Sequence, residues 1–242
     1  MFTTLHCIAL RSVKHSDSKS ILSAWSRELG RISIAMPEGC SREARRRRAL
    51  TMPLGLFEGE CDLRPGRDIL SMRDVKPSGS LPGGTMNPAK TAGAMFLADV
   101  LDALLRHSPA DEHLSIFLFD AMDAFASENR PAAICNFHIV FLYRLMHFLG
   151  IEPDMGSWRE GAYFDLREGR FSLTMPLHDF YLSDDGVEAM RLLARLNYRN
   201  MHLARFSRED RNRILDTLLD YYTAHLVRLD SLKSLQVLRS LF

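Results

Sequence analysis

Through the first eighty residues, apolar side chains come in short runs and in alternations of period two; beyond residue 87 they recur every three or four positions. The first pattern belongs to half-buried strands and the second to amphipathic helices. Residues 3–10 are apolar and rich in strand formers, and a polar loop covers 14–19. Two short strands, 20–26 and 31–36, are joined across Arg27-Glu28-Leu29-Gly30, where the glycine suits a tight turn. Ile32, Ile34 and Met36 alternate with Ser33 and Ala35, which predicts one buried face. Residues 50–61 are apolar again, with Pro53 marking an edge or bulge position. Arg64-Pro65-Gly66-Arg67 reads as a turn, and 69–75 as the closing strand. Five short strands with polar turns predict a small closed barrel, an arrangement that leaves no exposed edge.

The stretch from Lys76 to Gly84 is dense in proline, glycine and serine and predicts a linker. The expected division is therefore a β domain over 1–80 and a helical domain over 81–242. Asn87-Pro88 is a helix start, asparagine as cap and proline in the first turn. Ala92, Phe96, Val100 and Leu104 then share one face, to about residue 107. A second helix is predicted over 112–126. A third, over 131–149, turns Ile134, Phe137, Phe141, Leu145 and Phe148 inward and ends at Gly150. Tyr163 to Phe171 breaks the helical period, with Glu168-Gly169 between two β-like arms, and predicts a small inserted hairpin around 162–173. Helices resume over 185–198. Ser207 and Asp210 form a capping box that leads into 211–227, with Ile214, Leu218, Tyr222 and Leu226 on one face. The last stretch, 232–242, is a short amphipathic tail. The fold class expected is α+β.

Composition adds little until it is localised. With 46% apolar and 25% charged residues, the chain is an ordinary globular one. Its net charge of +1 hides an asymmetry, because residues 1–80 carry 14 Lys+Arg against 9 Asp+Glu and the remainder 17 against 21. The β half is thus the candidate for a polyanion. Five arginines and one glutamate fall in the eight residues 41–48. Arginine keeps its charge and its planar fork matches phosphate oxygens, so the run reads as a phosphate-binding segment or, more blandly, as a solvated, mobile loop. No apolar run approaches the ~18 residues of a membrane span, and the amino end has no basic start of the signal-peptide kind. The four cysteines lack zinc-knuckle spacing. They read as reduced thiols of a cytoplasmic protein, with Cys7 and Cys135 buried.

No catalytic constellation stands out: there is no glycine-rich phosphate loop, no nucleophile elbow and no His-Glu-x-x-His. Asp184-Asp185 is a pair a metal-dependent nuclease uses, but at a helix start aspartate is the expected dipole partner. His138, inside an apolar helical pattern, reads as a core histidine, and His225 reads the same way. The expectation is a protein that is not an enzyme and holds no metal and no cofactor.

The local wording is more specific than any single motif. Glu28-Leu29-Gly30-Arg31 follows the second strand, and Pro53-Leu54-Gly55-Leu56-Phe57-Glu58 opens the fourth. Asn87-Pro88-Ala89-Lys90 begins the helical part, followed by Phe96-Leu97-Ala98-Asp99-Val100-Leu101. Asn136-Phe137-His138, the segment from Tyr163 to Phe171, and the ending Lys233-Ser234-Leu235-Gln236-Val237-Leu238 complete the series. In this order, and over essentially the whole chain, these resemble the RecO family of bacterial recombination mediators. The resemblance implies an OB-fold barrel followed by a mostly helical domain with an inserted hairpin. It implies binding of single- and double-stranded DNA, annealing of strands, and action with RecR to load RecA on DNA coated by single-strand-binding protein, whose acidic C-terminal tail is contacted. Some members carry a four-cysteine zinc site near the hairpin; with no cysteine after Cys135, that site is not expected here, and Tyr163, Phe164 and Phe171 are expected to hold the hairpin by packing.

On that reading the phosphate contacts are Arg11, Lys14 and Lys19 near the first loop, and Arg42, Arg45, Arg46, Arg47 and Arg48 in the basic run. Trp25 is assigned to the barrel core rather than to base stacking. Arg130 and Arg144 are the candidates for the acidic tail, and the expected location is the cytoplasm, at the nucleoid. Rival readings are a metal-dependent nuclease using Asp184 and Asp185, a non-catalytic DNA-binding regulator, and a structural adaptor whose arginines are merely solvated.

Overall fold

The computed structural model describes residues 2–63, 66, 68–79, 87–229 and 232–241. It divides into two compact units, 1–127 and 128–242.

In the first unit, β1 (Phe2–Lys14), β2 (Lys19–Ser26), β3 (Gly30–Pro37), β4 (Leu56–Asp62) and β5 (Ile69–Pro77) close a barrel in the order β1-β2-β3-β5-β4. β1 pairs antiparallel with both β2 and β4, and β3 joins β5 in parallel through Ile34 and Leu70. This is the expected five-stranded barrel of OB type. Its interior is filled by Leu5, Cys7, Ala9, Leu22, Ala24, Ile32, Ile34, Met36, Phe57, Cys61, Leu70 and Met72, the inward members of period-two strands. Gly30 takes φ +74°, and a β-carbon there would meet the backbone of Pro109 and Ala110 at 2.5 Å. The glycine thus serves the turn and also a close approach that no side chain fits.

Two expectations about the first eighty residues are corrected. The arginine run is a helix rather than a loop: α1 spans Arg42–Leu50. The predicted strand over 50–61 therefore starts only at Leu56, and Pro53 lies in the intervening turn rather than at a strand edge. The predicted turn at 64–67 lies outside the described residues except for Gly66. Of the predicted linker, Lys76 and Pro77 belong to β5, whereas 80–84 lie outside the described residues.

α2 (Pro88–Leu104) begins as predicted, with the Asn87 side chain accepting from the Ala89 and Lys90 amides at 3.0 and 3.3 Å. α2 and α3 (Glu112–Ser127) belong with the barrel. Arg31 of β3 donates to Asp102 of α2 at 2.7 Å and to Ser23 Oγ at 2.6 Å, and both charged side chains are nearly buried. Trp25 is fully buried and its indole N–H donates to Ser115 Oγ of α3 at 3.1 Å.

In the second unit, α4 (Pro131–Phe148) is buried nearly all round and is the axis of the packing. Asn136 donates to the Met201 and Ala204 carbonyls at 2.9 Å each, and Tyr222 of α6 (Arg208–His225) donates to the Leu142 carbonyl at 2.8 Å. Phe148 and Leu104, expected inward, are only half-buried, and Leu226, expected inward, lies beyond the end of α6 and is exposed. The hairpin β6 (Tyr163–Asp165) and β7 (Arg170–Ser172) gains a third strand, β8 (Tyr181–Leu182). It is held by aromatic packing: Phe164 and Phe171 lie 4.8 Å apart, and Tyr163 meets Tyr181 edge-on at 5.5 Å. α5 (Asp184–Arg195) follows, and the Ser207–Asp210 capping box opens α6 as predicted. The tail forms α7 (Lys233–Leu241), burying Leu235 and Leu238.

Candidate nucleic-acid interface

α1 is a helix by capping and propensity rather than by core burial. Ser41 accepts a hydrogen bond from the Ala44 amide at 3.1 Å, Glu43 stands in the first turn, and Arg47 and Arg48 stand in the last. Both charges complement the helix dipole, and arginine is a good helix former. Only Ala44 and Leu50 are buried. Arg42, Arg45, Arg46 and Arg48 are exposed, and Arg47 is half-buried. Glu43 reaches Arg47 and Glu38 reaches Arg48, each at 3.4 Å, whereas Arg42, Arg45 and Arg46 have no carboxylate partner among the described residues. Among the described residues no buried carboxylate consumes the cluster.

The hairpin tip between β1 and β2 is tied to the approach to α1. The Glu38 amide donates to the Ser18 carbonyl at 2.9 Å, and Lys19 pairs with Pro37 across β2 and β3. Lys14 and Lys19, both exposed, therefore lie at the same end of the barrel as α1, with Lys14 held to Asp17 at 2.9 Å. Arg11 is exposed further down β1, just past a register shift between Ala9 and Arg11. Two cations that the sequence reading missed, Arg73 and Lys76 of β5, face α1 across a cleft. Strand alternation alone would have put these two on opposite faces.

The two arginines proposed for a protein partner are both engaged within the second unit. Arg130 grips Glu128 through Nε and Nη2 at 2.9 and 2.5 Å and meets His202 at 2.8 Å. That grip holds the Glu128 carboxyl down at about 2. Arg144 donates to the Leu196 and Ala194 carbonyls at 2.9 and 3.1 Å, closing the C-terminal end of α5. An apolar groove of about 380 Å³ runs instead between α5 and α6, over Met190, Leu193, Phe206 and Ile214, with Arg191, Arg195 and Arg213 at its rim.

Asp184 and Asp185 form the first turn of α5, and among the described residues no group of three or more His, Cys, Asp or Glu side chains is placed to hold a metal. His138 is buried in α4; burial and then the Arg211 charge push its imidazole down to about 3. His225, half-buried, meets the Leu166 carbonyl at 2.9 Å. Cys7 is buried as expected, but Cys135 is only half-buried and Cys61 is the second buried thiol. Burial raises the Cys61 thiol to about 11. No helix among the described residues is long and apolar enough to cross a membrane.

The sequence model of the family described as "Recombination protein O C terminal" matches residues 87–236. Relatives named DNA repair protein RecO include that of Phocaeicola vulgatus, 35% identical over 97% of both chains. Those of Porphyromonas gingivalis and Bacteroides fragilis are 33% identical over the full length of both chains and 32% identical over 97% of both.

Proposed function

The chain belongs to the RecO family, and from that premise and the exposed basic helix we propose that it acts in DNA repair by recombination, as a non-catalytic DNA-binding protein. The observation that carries the reading is α1: a capped helix on a closed barrel, presenting four exposed arginines to solvent. The guanidinium groups of Arg42, Arg45, Arg46 and Arg48, with Arg47, Lys14, Lys19 and Arg11 beside or below them, take backbone phosphates of single- or double-stranded DNA. Phosphate contacts carry no sequence information, so binding is indifferent to sequence. Complementary strands held at one cationic strip are neutralised against each other, and annealing follows. Working with RecR, the protein helps load RecA onto DNA coated by single-strand-binding protein, in the cytoplasm at the nucleoid. The acidic, apolar-ended tail of the single-strand-binding protein needs an apolar groove with arginine at its rim. The α5–α6 groove supports that contact better than Arg130 and Arg144, whose guanidinium groups already serve intramolecular partners.

Affinity for oligonucleotides is expected to fall steeply with salt. Replacing Arg45–Arg48 with alanine is expected to flatten the slope of log affinity against log salt by up to ~3–4 on duplex DNA. An unchanged slope would remove α1 from the DNA site. The broader reading is tested by strand annealing on oligonucleotides coated with single-strand-binding protein, with and without RecR. Magnesium-dependent cutting in the same assay would instead favour a nuclease.

A further inference from the structure

Arg73 and Lys76 are three residues apart in β5, so regular alternation would send them to opposite faces; both are exposed. A bulge is the reason. Glu58 and Glu60 of β4, two apart, pair with Lys76 and Arg73, three apart. The extra residue falls at Asp74, which takes φ +51°, a conformation that side chains other than glycine adopt only at some cost. The bulge brings Lys76 to the same side as Arg73, where both face Arg46 and Arg47 of α1 across a cleft of about 520 Å³.

Four cations line this cleft against two carboxylates, Glu43 and Asp74. Glu43 is drawn to Arg47, and Lys76 is paired with Glu58 at 2.9 Å. Arg46 and Arg73 have no carboxylate partner among the described residues. The Arg73 guanidinium lies instead over the Phe2 ring, 3.9 Å from its centroid. Phe2 is 50% exposed, whereas Leu5, Ile8 and Leu10 of the same strand are buried. β4 runs between β1 and β5 and carries Glu60 and Asp62 on this strip, Asp62 as the direct cross-strand partner of Phe2 and Glu60 as that of Arg73.

An exposed aromatic ring capped by a guanidinium, beside free arginines, is the combination that single strands use: phosphates on the cations, a base on the ring. We propose that the α1–β5 cleft is a single-strand subsite, with backbone phosphates against Arg46 and Arg73 and one unpaired base stacked on Phe2. The proposal rests on the DNA-binding reading above and adds to it a means of telling single strands from duplex. Duplex bases are already stacked on one another and cannot reach the ring.

The test is fluorescence anisotropy of labelled oligo(dT) and of a blunt duplex of the same length, with the full chain and its Phe2→Ala, Phe2→Leu and Phe2→Trp forms. Phe2→Ala is expected to weaken oligo(dT) binding by roughly fivefold or more and duplex binding by less than about twofold. Phe2→Leu keeps apolar bulk without a π-face and is expected to behave like alanine; Phe2→Trp is expected to match or exceed the parent. If the alanine form does not fold, the Leu–Trp pair decides. Equal losses on both substrates, or no loss on either, would overturn the subsite while leaving DNA binding intact. A parent protein that binds neither substrate would overturn both.

Discussion

His138 shows how one side chain sets a pH dependence for the whole unit it sits in. In the unfolded chain an imidazole takes its proton near pH 6.5; buried in α4 near Arg211, this one does so only at about 3. Below pH 6.5 the unfolded state therefore binds the additional proton. Stability is complete above that pH and falls as pH drops towards 3, by about 1.4 kcal/mol per unit for a single group. Carboxylates lowered by their hydrogen bonds, such as Glu128 to Arg130 and Asp210 to Ser207, act in the same direction but only below about pH 5, where unfolded carboxylates titrate. The interval from pH 7 to 5 thus isolates the histidine. Urea unfolding across it is expected to lose up to about 2 kcal/mol in the parent protein, and most of that slope is expected to vanish in His138→Gln, whatever its absolute stability. A parallel slope in the variant would reject the assignment. The burial of His138 and Trp25 was legible from the apolar pattern around them. The roles of Arg144 and Arg31 were not, because their acceptors lie 52 and 71 positions away and leave no mark in the local sequence.

At the scale of elements, the readable ones were those with a buried face or an unambiguous cap: α2 behind Asn87-Pro88, α6 behind the Ser207–Asp210 box, and the alternating strand β3. α1 was misread because it has neither. Two of its nine positions are buried, so there is no periodicity to see, and Ser41 caps without a glutamate or aspartate three residues on to complete a box. The two-residue strand β8 is too short to alternate, and the bulge at Asp74 breaks the only rule by which Lys76 could have been placed. If capping sustains α1, then Ser41→Ala costs about 1 kcal/mol, and amide exchange over 42–50 is expected to accelerate roughly fivefold, with exchange in β3 and β4 unchanged. Ser41→Asp, which caps as well and adds a charge favourable to the dipole, is expected to leave exchange at or below the parent rate. Exchange over α1 that ignores both substitutions would mean that its contacts with β5, and not its cap, hold it in place.

For the molecule as a whole, the composition shift after residue 80 and the edge of the first compact unit are different things. The sequence changes period where strands give way to helices, but the barrel's buried polar groups find their partners later, on α2 and α3. Arg31 depends on Asp102, the Trp25 indole on Ser115, and the Gly30–Arg31 turn on the 108–110 segment, where the Arg31 amide donates to the Ser108 carbonyl at 3.3 Å. A chain cut at residue 80 would strand a guanidinium and an indole N–H and uncover the barrel face that α2 covers. Removing one partner of a buried ion pair alone costs about 3–5 kcal/mol, comparable to the entire stability of a small domain. Residues 1–127 expressed alone are therefore expected to melt in one cooperative transition with Trp25 fluorescence of a buried indole. Residues 1–80 are expected to show neither. Asp102→Ala in the full chain separates the ion pair from the lost covering surface: a loss of about 3 kcal/mol or more in urea would place the main dependence on Arg31. A loss below about 1 kcal/mol, alongside an unfolded 1–80 fragment, would place it on the apolar face that α2 covers.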